Sequence, residues 1–468
     1  MALLLLLSSI VLFSAIFTNR FLNALGIPAL LFFLFLGLIF GGEGIFKINY
    51  SDFEQAKEFA SIALGFIIFY GGFCTKWKTA KPVLLQSVIL STFGVFLTAL
   101  AVGLFCYYIL QISLLESFLF GSVIGSTDAA SVFSILRSKN LHLKEHTAPL
   151  LELESGSNDP MSYVLVVLAL TLIQGQSVGF VLLLFLKQMI LGVITGVVIA
   201  KSAIYIFQKT RFIVDGNDSL FIIALVLVAY ALPQLYYGNP FLSVYFLGII
   251  LGNAPIDNKV SMINFFDSVT KLAQIGIFFM LGLLATPTEM PKVFVSGLLI
   301  FLFLTFVARP IVVFVLLYPF KSSYGQKLLV AWAGLRGVAS IVFAIVAMDS
   351  DVLLDYDLFH LVFLISLLSV AFQGTFLPWV SRAASMIDEN VDIRKTFNDY
   401  QEECAIKFMR LTVPAKHQWV GRKIQDIDFP NDSLVLYIKR NGKRILPKDS
   451  TKLLGGDRIT LALAIENL

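Results

Sequence analysis

Charged residues are scarce in this 468-residue chain, at 14% of positions, while 57% of its residues are hydrophobic. The mean hydropathy is +0.84. Because a soluble globular domain carries about 25% charged residues, the composition excludes that class and predicts a polytopic membrane protein. The opening Met1–Phe17 has neither a basic segment nor a small-residue cleavage site, so we interpret it as a first span and not as a cleaved signal peptide.

Cysteine is almost absent as well. The three cysteines, Cys74, Cys106 and Cys404, are scattered along the chain, which excludes a disulfide framework or a cysteine metal site. The net charge of +4 carries little information, because in membrane proteins the location of Lys and Arg matters more than their sum. We expect no enzymatic activity, no cofactor and no nucleic-acid partner.

Hydrophobic runs long enough to cross a bilayer recur along most of the chain. A transmembrane helix needs about 20 apolar residues, and by that criterion the sequence predicts about 13 spans. The runs lie near 2–18, 25–42, 58–74, 83–110, 117–136, 147–173, 180–208, 218–237, 240–253, 262–286, 292–319, 326–348 and 357–381.

Lys and Arg are concentrated in alternate loops, whereas the intervening loops are acidic or poor in basic residues. The basic set comprises Arg20; Lys76, Lys78 and Lys81; Arg137, Lys139 and Lys144; Lys209 and Arg211; Lys259; Lys321 and Lys327; and Arg382. The positive-inside rule assigns this set to the cytoplasm. With an odd number of spans, the N-terminus is then predicted outside and the C-terminus in the cytoplasm.

The composition changes after the last span, which defines three predicted domains. Residues 1–385 form the membrane domain, 386–404 a polar linker helix, and 405–468 a small cytoplasmic α+β domain. Its strands are expected at Ala405–Val413, Leu434–Lys439 and Ile459–Ala464, with a hairpin turn at Asn441-Gly442. A domain of roughly 60–80 residues is near the lower size limit for independent folding, which favours association with a second copy.

Residues 154–160 read Glu-Ser-Gly-Ser-Asn-Asp-Pro within the run 147–173, close to a further carboxyl group at Glu152. A carboxylate at the centre of a spanning helix costs roughly 2.5–3.5 kcal/mol and is the usual mark of an ion or proton pathway. The pairs Glu154/Asn158 and Ser155/Asp159 are each four residues apart, so they share one broad helix face.

Pro160 cannot donate a hydrogen bond to the carbonyl of Gly156, so we expect a local break of the helix there. The segment then combines carboxylate, hydroxyl, amide and backbone oxygens, which suit a hard, weakly held monovalent cation. Asp159 would alternate between binding a proton and binding that cation. A buried polar network that only joins helices is the alternative.

Two other spans contain similar interruptions, Gly125–Ser131 and Gly334–Ser340. Ser, Thr and Asp favour helix caps over helix interiors, so the first segment predicts an unwound point where a half-helix begins. The second places an arginine between two glycines in an apolar span and has the same Gly-to-Ser spacing, with an Ala before each Ser. Matching interruptions in two halves of a chain are typical of inverted-repeat transporters, whose broken helices cross at the substrate site. A capped kink without a ligand remains the alternative for the first segment.

Two arginines lie in apolar spans, and a guanidinium group does not deprotonate, so each needs a partner. We expect Arg336 to form a structural ion pair with Glu154, leaving Asp159 as the group that titrates. Arg309 is a second buried cation, with Glu152 or helix-end carbonyls as its expected partner and a structural role.

Three motifs in order along the chain resemble the monovalent cation:proton antiporter-1 family, in particular its bacterial potassium/proton branch. They are Thr127-Asp128, then Glu154-Ser155 with Asn158-Asp159-Pro160, then Gly334-Leu335-Arg336-Gly337. The resemblance implies a homodimer in the bacterial inner membrane, with a dimerisation region in the early spans, a core region that moves, and exchange of a cytoplasmic cation for external protons or the reverse.

The resemblance also implies roles for individual residues. Asp159 is the carrier of cation and proton, and Thr127, Asp128, Ser155 and Asn158 complete or support the site. The cation would be held at Asp159, Thr127 and Ser155, and an asparagine at position 158 implies electroneutral exchange. Many members carry a further carboxylate in the third span, where this chain reads Tyr70-Gly71-Gly72-Phe73.

The C-terminal region resembles the C-terminal lobe of potassium-conductance regulator (TrkA-C) domains. The resemblance rests on Val420–Ile424, Asn441–Pro447 and Gly455–Ile459. Such lobes dimerise and often bind a small regulatory ligand, sometimes a nucleotide. No Gly-x-Gly-x-x-Gly fingerprint precedes this region, which disfavours a dinucleotide, and a module for folding or dimerisation without a ligand is the alternative.

The sequence therefore predicts a secondary antiporter that exchanges K⁺ or Na⁺ for H⁺ by alternating access. One rival is a cation channel gated by the C-terminal domain, but the chain has no repeated filter-like loop. Another is an intramembrane aspartyl protease using Asp128 and Asp159, but no Gly-x-Gly-Asp segment supports it.

Overall fold

The structure is a computed structural model that describes residues 9, 13, 29–388 and 406–464, with gaps at 49, 51, 140, 210–216, 257–258, 351, 415–416, 428, 430–432 and 441–442. Contacts divide the chain into two compact units, Met1–Glu389 and Asn390–Leu468. The predicted run 2–18 and the linker helix fall almost entirely outside the described residues.

The first unit is helical. Its described helices are α1 Ala29–Phe40, α2 Phe53–Cys74, α3 Trp77–Ile109, α4 Leu114–Val123, α5 Ala129–Ser138, α6 Thr147–Ile173, α7 Val178–Lys209, α8 Asp218–Gln234, α9 Pro240–Asn253, α10 Lys259–Leu284, α11 Met290–Leu316, α12 Tyr324–Trp332, α13 Val338–Met348 and α14 Leu358–Ala383. Seven of the described helices are long and apolar enough to cross a membrane, namely α2, α3, α6, α7, α10, α11 and α14. The count of about 13 spans stays a prediction.

Two predicted spans are interrupted, as the sequence indicated. The run 117–136 consists of α4 and α5, and the run 326–348 consists of α12 and α13. By contrast, the run 147–173 is one unbroken helix, α6. The polar segments therefore divide two spans into half-helices and leave the span between them intact.

Three long spans contain a π-helical turn, at Leu90–Gly94 in α3, Leu304–Ala308 in α11 and Ser369–Gln373 in α14. A π turn inserts an extra residue into the helix and often marks a functional site. The turn in α11 ends immediately before Arg309, and the turn in α14 contains Ser369. Both residues contact the candidate site.

Close packing of the helices depends on glycine at several crossings. A Cβ atom on Gly37 of α1 would lie 2.2 Å from the carbonyl oxygen of Phe279 in α10, and one on Gly248 of α9 would lie 2.5 Å from the carbonyl oxygen of Phe69 in α2. Small residues let membrane helices approach to backbone contact. Helix α6 is central, because it packs against α3, α4, α7 and α9.

The second unit contains a four-stranded sheet. Its strands are β1 Ile406–Thr412, β2 Leu434–Arg440, β3 Lys443–Ile445 and β4 Arg458–Ala464, in the order β1-β4-β2-β3, and every neighbouring pair is antiparallel. The three predicted strands correspond to β1, β2 and β4. The predicted hairpin turn at 441–442 lies outside the described residues.

The core of this unit is small. It is formed by Ile438 of β2, Ile459 and Leu461 of β4, and Leu453 from the preceding loop, all fully buried. At the end of the sheet, Arg440 donates two hydrogen bonds to Asp457, from Nε at 2.8 Å and from Nη2 at 2.7 Å. Asp457 is 1% exposed, so this pair closes the loop before β4.

Candidate ion-binding site

The two helix interruptions contact each other directly. The backbone N–H of Asp128, just before α5, donates to the carbonyl of Leu335 between α12 and α13 at 2.8 Å. Nη1 of Arg336 donates to the carbonyl of Ser126 at 2.6 Å. Each unwound segment thus satisfies backbone groups of the other, which backbone buried in a membrane requires. The predicted crossing of broken helices is confirmed.

Local chemistry explains why the chain unwinds here. Asp128 caps α5, because its carboxylate accepts from the backbone N–H of Ser131 at 3.2 Å and from the Ser131 hydroxyl at 2.6 Å. A Cβ atom on Gly337 would lie 2.1 Å from Oδ2 of Asp128. Glycine at position 337 therefore allows the unwound segment before α13 to lie against Asp128, the residue that caps α5.

Helix α6 is joined to the first break by its buried polar face. The hydroxyl of Ser155 donates to the carbonyl of Thr127 at 2.7 Å and accepts from the backbone N–H of Ala129 at 2.9 Å. Nδ2 of Asn158 donates to Oγ1 of Thr127 at 2.5 Å. Ser155, Asn158 and Thr127, all predicted site residues, are thereby brought together.

Asp159 faces the same break. Its side chain is 9% exposed, and the hydroxyl of Ser126 donates to its Oδ1 atom. Ser126 is absent from the predicted set of site residues, although it belongs to the interrupted segment Gly125–Ser131 and could have been found there. Oδ1 of Asn158 is buried without a hydrogen-bond partner among the described residues, so an acceptor oxygen remains next to the Asp159 carboxylate in the chain.

The predicted ion pair between Glu154 and Arg336 is wrong. Nη2 of Arg309 lies 2.6 Å from Oε1 of Glu154, and the two side chains are 2% and 1% exposed. Arg336 lies in an unwound segment, so its side chain reaches the carbonyl of Ser126 while its backbone N–H donates to Ser369 of α14 at 2.8 Å. The carbonyl oxygen of Ser126 takes the place of the anion that the sequence predicted for Arg336.

Two further predictions about buried charge have different outcomes. Arg309 is buried, as predicted, but its partner is Glu154 and not Glu152. Glu152 is exposed, so its prediction as a buried charge is wrong. Residues two apart on an α-helix point about 200° apart around its axis, which places Glu152 on the face opposite Glu154.

The local break expected at Gly156 and Pro160 is also wrong, because α6 remains helical throughout. Pro160 removes the donor for the carbonyl of Gly156, yet the helix continues on both sides of this position. Separately, Nδ2 of Asn239, the capping residue of α9, donates to the carbonyl of Pro160 at 2.8 Å and so joins α9 to α6. Gly156 provides room for Tyr245, whose Cε2 atom would lie 2.7 Å from a Cβ atom at position 156.

The arrangement suits competitive binding of a proton and a small cation. Carboxylate, hydroxyl and carbonyl oxygens are the ligands that hard cations prefer, and here they come from α6 and the adjoining break. Nε and Nη2 of Arg336 have no hydrogen-bond partner among the described residues. The guanidinium therefore retains donor capacity at the same crossing.

A sequence model described as "Sodium/hydrogen exchanger, transmembrane" matches residues 8–383. The chain belongs to this family. A second model, described as "TrkA-C domain", matches residues 408–468. Family membership identifies the first unit as a secondary cation/proton antiporter, as the sequence predicted.

Several curated relatives cover almost the whole chain. The K(+)/H(+) antiporter NhaP2 of Shewanella baltica is 30% identical over 445 residues, which are 93% of this chain and 76% of that protein. The K(+)/H(+) antiporter NhaP of Alkalimonas amylolytica is 30% identical over 438 residues, 92% of this chain and 75% of that protein. The Na(+)/H(+) antiporter 1 of Methanocaldococcus jannaschii is 28% identical over 342 residues, 69% of this chain and 78% of that protein.

A solved structure supports the fold independently. The sodium proton antiporter MjNhaP1 from Methanocaldococcus jannaschii at pH 8 has a TM-score of 0.70 and 24% identity, and the match covers 79% of this chain and 99% of that one. At this level of identity the similarity establishes the fold. The roles of individual residues have to be inferred from the geometry of this chain.

Proposed function

We propose that the chain exchanges K⁺, or Na⁺, for H⁺ one for one, with Asp159 as the shared binding group. The observation that carries this proposal is the buried Asp159 carboxylate, which is bound by Ser126 at the crossing of the two broken helices. A proton and a cation compete for the same carboxylate. If the crossing opens to one side of the membrane at a time, a site that has released one ion returns to the other side only after it has bound the other ion.

The neutral neighbour of Asp159 supports electroneutral exchange. Asn158 contributes an amide where a second carboxyl group would add a negative charge, and its Nδ2 atom is already bound to Thr127. The site then has one titrating carboxylate for one monovalent ion. K⁺ is favoured over Na⁺ because the relatives with 30% identity over most of the chain are named K(+)/H(+) antiporters.

Reconstituted vesicles with a trapped pH dye test the function. Adding K⁺ or Na⁺ should dissipate a preset proton gradient in the wild type, and Asp159→Asn should abolish this exchange. Glu152→Gln is the matched control, because it neutralises an exposed carboxylate on the same helix, and it should exchange normally. Full exchange in Asp159→Asn would refute the carrier role.

Side-by-side titrations of K⁺, Na⁺, Rb⁺ and Li⁺ in the same vesicles test the cation preference. We expect K⁺ to give the lowest half-saturating concentration. A preference for Na⁺ or Li⁺ would reverse the assignment while leaving antiport itself intact. Exchange that responds to an imposed membrane potential would contradict the one-for-one stoichiometry.

The setting of the protein is part of the proposal. We infer a homodimer in a bacterial inner membrane, with the N-terminus outside and the second unit in the cytoplasm. The distribution of Lys and Arg among the loops supports this orientation. Accessibility of single introduced cysteines to an impermeant reagent from each side of the membrane tests it, and native mass measurement in detergent tests the dimer.

We also propose that the second unit regulates transport. Its match to the TrkA-C domain supports a role in dimerisation and in binding a small ligand, with a nucleotide as one candidate. Proteolytic release of this unit from the folded full-length protein should change the exchange rate. An unchanged rate after complete release would contradict regulation.

A further inference from the structure

The chain leaves the last membrane helix through a short segment that is hydrogen-bonded to the start of α6. We call Ser385–Asp388 the strap and residues 141–147 the entry loop. The contacts between them are Lys144 N to Met386 O at 2.9 Å, Asp388 N to His142 O at 2.9 Å, and an isolated antiparallel bridge between Leu143 and Ile387. The strap therefore holds the loop that leads directly into α6.

The entry loop is in turn bound to α12, the first half of the second broken span. Nε2 of Gln326 donates to the carbonyl of Glu145 at 2.9 Å and to Oγ1 of Thr147 at 3.3 Å. The hydroxyl of Ser323, which caps α12, donates to the Glu145 carboxylate at 2.7 Å. The entry loop therefore connects the strap to both elements that lead to the ion-binding site, α6 and α12.

The backbone around the strap is held in an unfavourable conformation. Four residues here are left-handed, Glu145 at φ 56°, His146 at φ 53°, Lys321 at φ 54° and Ser385 at φ 55°. L-residues other than Asn, Asp and His rarely adopt this region, so Glu145, Lys321 and Ser385 persist in it only where their surroundings enforce it. The junction is therefore a sharply defined local structure and not an extended linker.

Close packing adds to this constraint. A Cβ atom on Gly325 of α12 would lie 2.3 Å from the carbonyl oxygen of Ala384, and Met386 is 2% exposed in the same apolar cluster as Leu150 and Leu329. The strap is thus packed into the end of the membrane unit on the side where α6 and α12 begin.

We propose that the strap is the mechanical connection through which the second unit controls α6. This inference rests on the regulatory role proposed for that unit. Asp388 precedes the residues that lead to β1, so a rearrangement of the second unit is transmitted through the chain to the Leu143–Ile387 bridge. A shift of the bridge moves the start of α6, and the rigid helix carries the shift toward Asp159, about 18 Å along its axis at 1.5 Å per residue.

A reversible disulfide across the bridge tests the connection in the full-length protein. Leu143→Cys and Ile387→Cys are introduced together with Cys404→Ser and a protease site after Asn390. Residues opposite each other at such a bridge have closely spaced Cβ atoms, which a disulfide requires. Exchange is measured in vesicles before and after cleavage, with the disulfide formed and with it reduced.

With the disulfide reduced, we expect cleavage to change the exchange rate about fivefold or more, which is the range of ordinary allosteric coupling. With the disulfide formed, cleavage should leave the rate unchanged, because the bridge no longer depends on the second unit. Failure of the two cysteines to form a disulfide would refute the bridge itself.

The outcomes separate this inference from the regulatory role on which it rests. If cleavage has no effect in the reduced protein, regulation by the second unit is refuted, and the strap with it. If cleavage has the same effect with the disulfide formed, the unit regulates by another route and only the strap is refuted.

A backbone variant provides a second measurement. Asp388→Pro removes the N–H that donates to the carbonyl of His142, whereas Asp388→Ala keeps it. We expect only the proline variant to become insensitive to cleavage. Equal sensitivity in both variants would count against the strap, and if the proline variant fails to fold, the disulfide experiment decides.

Discussion

Nη2 of Arg309 lies 2.6 Å from Oε1 of Glu154, and this buried pair joins α11 to α6 little more than one helical turn before Asp159. Arg336, the other buried arginine at the crossing, binds the carbonyl of Ser126. The two arginines therefore have different tasks. Arg309 neutralises a carboxylate on α6, and Arg336 joins the two broken helices.

Removing Arg309 should leave the buried Glu154 carboxylate without its ion-pair partner, whereas removing Arg336 should not. Loss of one member of a buried ion pair costs about 3–5 kcal/mol, because the remaining charge is left without a partner. Arg309→Ala should therefore lower the midpoint of thermal unfolding strongly, and adding Glu154→Ala should restore part of the loss. In the matched cycle, Arg336→Ala and Glu154→Ala should be coupled more weakly, because Arg336 interacts with Glu154 through charge at longer range, whereas Arg309 forms the direct ion pair. Coupling of Glu154 with Arg336 as strong as its coupling with Arg309 would contradict the observed pairing.

Ser126→Ala should impair transport without unfolding the protein. The substitution removes the hydroxyl that binds Asp159 but keeps the carbonyl that binds Arg336. Hydrogen bonds to charged groups contribute roughly 1.5–3 kcal/mol, so a loss of exchange of about tenfold or more is expected, together with a small fall in the melting temperature. Ser122→Ala is the control, since that hydroxyl only bonds the carbonyl of Phe118 within α4. Equal activity of the two variants would exclude a role for Ser126.

Gly337→Ala should disrupt the crossing, because its Cβ atom would lie 2.1 Å from Oδ2 of Asp128. The capping carboxylate would have to leave Ser131, or the two breaks would have to separate, and either change should abolish exchange. Gly71→Ala provides the contrast, since nothing lies within 4 Å of a Cβ atom there. That variant should exchange normally. Vesicle flux at matched protein content measures both, and normal flux in Gly337→Ala would show that the breaks need not touch.

The pair Arg440–Asp457 predicts how the second unit responds to acid. The side-chain hydrogen bonds from Arg440, together with one from the backbone N–H of Leu454, hold the pKa of the Asp457 carboxyl below its usual value of 3.8, although burial acts in the opposite direction. A carboxyl group whose pKa is lower in the folded state stabilises that state fully above the unfolded-state pKa. The contribution is therefore constant above about pH 4 and is lost as the pH falls through the lowered pKa.

Fluorescence of Trp419, which packs against Phe429 in the second unit, measures this response once the other tryptophans are replaced by phenylalanine. In the wild type, the temperature at which half of the unit is unfolded should decrease as the pH is lowered below about 4. Asp457→Asn should lower the midpoint at neutral pH and flatten the acid decline. An equally steep decline in the variant would assign the acid response to other groups.

Features that depend on residues close together in the sequence could be predicted from the sequence alone. Both interrupted spans were visible within apolar runs, the first from its cluster of Gly, Ser, Thr and Asp and the second from Gly-Leu-Arg-Gly. Helix α6 coincides with its predicted run of 147–173. The exposure of Glu152 was also available from helical periodicity, since it lies two positions before Glu154. Ser126 lay within a recognised segment, and its hydroxyl needed only to be considered as a donor to Asp159.

Other features depend on contacts between distant parts of the chain. Arg309 follows a π turn in α11, and Arg336 lies in an unwound segment. The directions of their two side chains decide which one reaches Glu154, and neither direction can be derived from spacing in the sequence. No local pattern indicated that α6 would stay helical across Pro160, or that Asn239, which caps α9, would bind the carbonyl of Pro160.

The groups gathered at the crossing have a consequence for how voltage acts on the protein. Among the described residues there, two guanidinium groups, Arg309 and Arg336, accompany three carboxyl groups, those of Asp128, Glu154 and Asp159. With all five ionised, the empty carrier holds one excess negative charge, and either one proton or one monovalent cation cancels it. Moving a charge across the membrane costs about 2.3 kcal/mol per 100 mV. A carrier that has bound either ion would therefore cross without electrical work, while the empty carrier would be opposed by the field in one direction.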